Sequence, residues 1–143
     1  MTPMEGYRYV HPRDVEFRDL DAAGHVNNAV YLGYLETARI GYMVEVLGLD
    51  SLEEIAVIVA SISIDFRSPA LFGDKLEIGA RVSRVGTKSL DMEHELRAAD
   101  GRLVAEATSV LVAFDYDRRE TVPVPPEWRE RIEAFEATKV AAA

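Results

Sequence analysis

Asp19-Leu20-Asp21-Ala22-Ala23-Gly24-His25-Val26-Asn27-Asn28 is the stretch on which the reading of this chain turns. It places two carboxylates, a glycine, a histidine and two amides directly ahead of a long apolar segment. The start of a helix offers unpaired N–H groups and a partial positive charge. A carboxylate held beside such a start is one way to build a site that attacks a carbonyl. The segment that follows, residues 27–47, predicts a single helix: it lacks proline, is rich in helix formers, and has Asn27 as its N-cap. At 1.5 Å per residue it would span ~31 Å. Val30, Tyr31, Tyr34, Leu35, Ala38, Tyr42 and Val46 line one side, and Leu32, Ile40, Met43 and Leu47 the other. A helix apolar on most faces is expected to be buried. Gly33, Ala38 and Gly41 would let a sheet approach closely, and Gly48 is a natural stop.

After this helix the periodicity changes from 3.6 to two. Residues 8–18, with Val10, Val15 and Phe17, read as a first strand. Residues 56–68, 75–85, 88–98 and 102–116 read as four more, separated by Pro69 with Gly73-Asp74, by Gly86, and by the hairpin pair Asp100-Gly101. Pro123, Pro125 and Pro126 break the chain, and residues 126–137 form a short amphipathic helix around Trp128, Ile132 and Phe135. The order predicts an α+β fold. A curled antiparallel sheet of about five strands wraps round one long central helix, with a short C-terminal helix added. Such a layer has open edges. The segment Val110-Leu111-Val112-Ala113-Phe114 is apolar on both faces, so a second protomer is expected to cover part of it, as a dimer or a dimer of dimers.

A length of 143 residues fits one domain, with its core over residues 8–117. The chain has no cysteine, which removes disulfides and thiolate chemistry and agrees with a reducing, cytoplasmic setting. Residues 1–6 lack the apolar core of a signal peptide, and no run approaches the ~18 apolar residues of a membrane span. A net charge of −9 argues against nucleic acid as a partner. No glycine-rich phosphate loop is present, which removes ATP and NAD from the expected cofactors. His25 with Asp19 and Asp21 supplies only one imidazole and no ligand spacing, so no metal is expected. The closing Ala141-Ala142-Ala143 reads as a frayed end.

Phe17-Arg18-Asp19-Leu20-Asp21, Gly24-His25-Val26-Asn27-Asn28, Tyr31 and Leu35-Glu36-Thr37-Ala38-Arg39, with Asp65-Phe66-Arg67-Ser68-Pro69 and Gly73-Asp74 downstream, resemble the hotdog fold. Within it, the chain is similar to the 4-hydroxybenzoyl-CoA thioesterase-like acyl-CoA thioesterases over residues 9–125. The resemblance implies that Asp21 is the catalytic carboxylate, as nucleophile or as general base for water. It implies that the backbone N–H of Asn28 polarises the thioester carbonyl, and that Gly24 and His25 form the turn admitting the thioester to both. It also implies an active site between two protomers. Asn27-Asn28 stands where some members carry aromatic residues, which points away from 4-hydroxybenzoyl-CoA itself. His25-Val26-Asn27-Asn28 also resembles acyl-carrier-protein thioesterases, so the carrier, CoA or protein, stays open.

Each candidate has a plainer reading. Asp21 can cap a loop, and Asp19 is expected to be structural, bonding loop N–H groups. His25 can act as a base or as a hydrogen-bonding wall. His94 is expected in the core with its hydrogen bonds satisfied, and His11 at the surface. Asn27 can hold substrate or cap the helix. Glu36 can pair with Arg39 three residues on, or reach the pocket as the rival to Asp21. Tyr31, Tyr34, Ile58, Val59 and Ser61 are candidates to line the acyl pocket. Arg67, Arg81, Arg84, Lys88 and Arg102 are candidates for the nucleotide phosphates, with Arg84 and Lys88 flanking the turn at Gly86. The expected activity is hydrolysis of an acyl-CoA to free acid and CoA without a cofactor. The alternatives are an acyl-carrier-protein thioesterase and a non-catalytic acyl-CoA-binding module.

Overall fold

A computed structural model describes residues 4–136, the Leu52 side chain excepted, and the backbone of residues 141–142. Strand β1 (Tyr9–Asp14) leads through a 3-10 turn (Phe17–Asp19) and the acidic loop into helix α1 (Val30–Leu47). Four long strands follow: β2 (Val57–Phe66), β3 (Lys75–Val85), β4 (Ser89–Ala98) and β5 (Leu103–Asp115). A short β6 (Glu120–Thr121), helix α2 (Pro126–Glu136) and a two-residue β7 (Ala141–Ala142) complete the chain. The main sheet runs β1-β3-β4-β5-β2, antiparallel throughout, so β1 and β2 are its outer strands. This is the curled sheet over one long helix that the periodicity predicts.

Some boundaries differ from the sequence reading. The first strand stops at Asp14: Val15 N–H still donates to the Asp74 carbonyl in the same register, and the chain then tightens into the 3-10 turn. Phe17, read as a strand position, is therefore 77% exposed. Helix α1 begins at Val30 rather than Asn27, and Gly48 closes it in the left-handed region at φ +66°. Residue 137, the expected end of α2, lies outside the described residues, as does Ala143. The alanine run is not simply frayed, since Ala141 and Ala142 pair in parallel with Arg84 and Val85.

Helix α1 is not buried all round. Its inward stripe is Tyr31, Tyr34, Leu35, Ala38, Arg39, Tyr42, Met43, Val46 and Leu47, while Leu32, Glu36, Val44 and Glu45 are exposed. It packs on β1, β3 and α2. Gly41 permits the approach to β1: a Cβ there would overlap the Tyr9 hydroxyl. Tyr42 meets Tyr9 and Phe135 edge-on and donates from its hydroxyl to Glu136 Oε2 at 2.6 Å, tying α1 to α2. The core falls into two clusters. One surrounds Tyr31, Tyr34 and Leu35 with Ile78, Leu96 and Ala105. The other surrounds Tyr42, Met43 and Val46 with Val82, Met92 and Leu111.

Candidate active site

The acidic loop is pinned at both ends by backbone bonds. Asn27 N–H donates to the Asp19 carbonyl at 3.0 Å, Leu20 bridges Val26, and Asp21 N–H donates to the His25 carbonyl at 3.0 Å. Gly24 closes the tip at φ +86°, where a side chain would be strained, and its N–H donates to the Asp21 carbonyl. Val26 N–H donates to Ala70, and His25 bridges Leu71, so the loop is stitched to the segment after β2.

Asp19 is the structural carboxylate. It is 6% exposed, accepts from Glu16 N–H at 2.9 Å and from the Tyr34 hydroxyl at 2.7 Å, and has Arg13 Nη2 at 3.6 Å. Burial alone would raise its pKa, but these bonds and the Arg13 charge together hold it below the ordinary carboxylate value. The Arg13 guanidinium also lies over the Tyr34 ring, 5.0 Å from its centre.

Asp21 is half-exposed at the loop tip, where Oδ1 accepts from Ala23 N–H at 2.9 Å. Asn27 caps the turn ahead of α1: its Oδ1 accepts from Ala29 N–H at 2.8 Å and its carbonyl accepts from Val30 N–H. Among the described residues the Asn28 N–H meets no acceptor. This leaves a donor free at the positive end of an 18-residue helix.

Asn28 opens into a cleft of about 310 Å³, lined by His25, Val26, Tyr31, Phe66, Arg67, Ser68 and Pro69. The Tyr31 ring is buried and meets Tyr34 and Phe66 edge-on. Burial raises the Tyr31 pKa, so its phenol stays protonated. Arg67 stands half-exposed at the rim, with Nε 3.0 Å from Glu106 Oε2.

The cleft thus gathers Asn28, His25, Tyr31 and Arg67. Asp21 stands on the adjoining loop, outside the cleft lining. Glu36 is 64% exposed and 3.8 Å from Arg39. Arg84 and Lys88 sit at the other end of the sheet. Arg84 lies nine residues along β3 from its start, 3.6 Å from Asp91, and Lys88 is near Thr121. In one chain, the set proposed for the nucleotide phosphates is therefore not brought together. His94 departs from expectation differently: it is in the core, but among the described residues neither ring nitrogen has a hydrogen-bond partner. Phe66, Ser68 and Pro69 are cleft residues that the sequence marks only as a landmark. Among the described residues no three His, Asp or Glu side chains converge as metal ligands, and no helix is long and apolar enough to cross a membrane.

A curled antiparallel sheet wrapped over one long helix is the architecture of the hotdog thioesterases. Comparison places the chain within it: residues 15–132 match the thioesterase-like superfamily, and the chain belongs to that family. A solved thioesterase from Thermus thermophilus, complexed with coenzyme A and Zn, is 42% identical at a TM-score of 0.88, over 96% of this chain and 100% of that one. The long-chain acyl-CoA thioesterase FadM of Escherichia coli is 31% identical over 123 residues, 80% of this chain and 89% of FadM. The chloroplastic acyl-acyl carrier protein thioesterase ATL3 of Arabidopsis thaliana is 27% identical over 139 residues, 92% of this chain and 72% of ATL3.

Proposed function

We propose that this chain hydrolyses an acyl-CoA thioester to the free acid and CoA, with water as the only co-reactant and no cofactor. The observation that carries this is the free Asn28 N–H at the start of α1, inside a cleft and beside the Asp21 loop. A thioester oxygen seated there accepts from Asn28 N–H, and the helix start favours the negative charge that grows on it. Two routes use Asp21. As general base it takes a proton from water while the water oxygen bonds to the carbonyl carbon. As nucleophile it forms a mixed anhydride that water then opens. In both, the carbon–sulfur bond breaks and CoA leaves as the thiol after gaining a proton. In this reading His25 walls the turn, Asn27 holds the turn ahead of α1, and Arg67 at the rim is the candidate to meet a phosphate.

The proposed working unit is a dimer or tetramer. β2 is ten residues long and ends the sheet, so one of its edges carries no strand. Pairing along it would bring a second copy to the cleft side of β2, and with it Glu36, Arg84 and Lys88 from another direction. The proposed compartment is the reducing cytoplasm, with which a chain without cysteine agrees.

Release of free thiol from a panel of acyl-CoAs tests the reading. Wild type should turn over at least one ester, and Asp21→Asn should lower kcat by about a hundred- to ten-thousandfold with an unchanged circular dichroism spectrum. Near-normal rates in Asp21→Asn, with loss in Glu36→Gln, would move the carboxylate to α1. Silence across the CoA panel with release from acyl-carrier-protein esters would change the carrier. Saturable binding without release from either would make the chain a binding module.

A further inference from the structure

Midway along α1 the apolar packing between helix and sheet is interrupted. The cluster near the cleft contains Ala38, Leu96 and Ala107, and the farther cluster contains Tyr42, Met92 and Leu111. Arg39, His94 and Ser109 fall between these pairs on α1, β4 and β5. All three are buried, His94 to 2% exposure. Among the described residues, Arg39 Nη1, both ring nitrogens of His94 and Ser109 Oγ have no hydrogen-bond partner. The one charge partner of Arg39 among the described residues, Glu36, lies out toward solvent at 3.8 Å. Burial, reinforced by the Arg39 charge, lowers the His94 pKa to about 4, so its imidazole is neutral at neutral pH.

Buried polar atoms are nearly always paired. Several unpaired atoms in one layer mark a place that an atom from outside the chain completes. The inventory says what kind. Arg39 offers only donors, neutral His94 one donor and one acceptor, and Ser109 one of each at least. An oxygen suits all three.

The layer is also in line with the cleft. From Tyr31 to Arg39 is two turns of α1, about 12 Å. On the sheet, Phe66, Ile64 and Ile62 run the same way along β2 opposite Ala105, Ala107 and Ser109 of β5. Ile62 and Ile64 are only partly buried, because α1 packs on β1 and β3 rather than across β2. Their partners on β5, Ala107 and Ser109, carry small side chains.

Resting on the thioesterase reading above, we propose that the acyl chain lies along this β2–β5 path and that Arg39, His94 and Ser109 bind an oxygen function at its far end. The substrate class is then a medium-length acyl thioester carrying a terminal carboxylate, hydroxyl or keto group, not a plain hydrocarbon chain. The charge of Arg39 ranks the carboxylate first.

The test compares kcat/KM for octanoyl- and decanoyl-CoA with their ω-hydroxy and ω-carboxy counterparts. Oxygenated esters should be favoured about tenfold or more, the worth of one charge-assisted hydrogen bond. Arg39→Met should collapse the carboxy-to-plain ratio. Ser109→Ala, a smaller change, should lower it too and serves if Arg39→Met does not fold. Non-hydrolysable thioether analogues, titrated by calorimetry into the wild type, read the same preference without turnover. Tighter binding of the oxygenated analogue with no hydrolysis of any ester would therefore sink the catalytic reading and keep this one. Equal handling of plain and oxygenated chains, a preference unchanged in both folded variants, or no binding of any analogue would overturn it.

Discussion

Asp19 and Asp21 are two residues apart and do different work because of what faces them. Asp19 is enclosed by Glu16 N–H, the Tyr34 hydroxyl and Arg13, and its carbonyl holds Asn27. Asp21 has one backbone donor on Oδ1 and is half-exposed. A carboxylate so enclosed holds a loop; one with a free oxygen is available to water. Tyr34→Phe deletes the hydroxyl donor and leaves a buried acceptor short. Urea unfolding should show a loss of about 1–3 kcal/mol, and an unchanged midpoint would remove Asp19–Tyr34 as the anchor. His94 gives a pH dependence. Its pKa is lowered from 6.5 to about 4 in the fold. Between those values the unfolded chain binds a proton that the folded chain does not, so stability falls as pH drops. Full stability is present above pH 6.5, and the loss on reaching pH 4 is of the order of 3 kcal/mol. His11, lowered by partial burial and Arg13, adds in the same direction. Melting temperatures across this window should fall in wild type and flatten in His94→Leu.

Within α1, two glycines separate helix propensity from packing. At Gly33 nothing lies within 4 Å of where a Cβ would stand, so Gly33→Ala gains helix propensity of about 1 kcal/mol with no clash. At Gly41 the same methyl meets Tyr9, whose ring is held edge-on by Tyr42. The packing cost of about 1–3 kcal/mol outweighs the propensity gain. Thermal melts should move up for Gly33→Ala and down for Gly41→Ala; a rise in both would mean that Tyr9 yields. The strands are legible from alternation and from Gly73, Gly86 and Gly101, since turn chemistry and pleat are local. The first strand reads too long because Val15 and Phe17 are apolar among charged neighbours. What ends it is the 3-10 turn at Phe17–Asp19, held where Asp19 accepts from Glu16 N–H and from the Tyr34 hydroxyl on α1.

At the scale of the molecule, among the described residues the sheet leaves one edge of β2 open, and the inward Ile62 and Ile64 of β2 are only partly buried. The proposed self-association would run along β2. Ala60 is exposed, at the register shift between Val59 and Ser61. A lysine there charges the edge without entering the core. Sedimentation should find wild type as a dimer or larger and Ala60→Lys shifted toward monomer, with turnover falling in step. A wild-type monomer with full turnover would confine the site to one chain.

The amino-acid sequence by itself determined the order and type of the elements, the acidic loop, and the family. Each is written in residues near one another, through periodicity, turn glycines and side-chain-to-backbone bonds. Only the tertiary structure decided which of those residues meet. It joined Asp19 to Tyr34 and built the cleft from loop, helix and the segment after β2. It also set Arg84 and Lys88 at the far end of the sheet and stacked Arg39, His94 and Ser109 in one unpaired layer. These outcomes depend on strand order and register, which fix distances between segments far apart in the chain and leave no local trace in it.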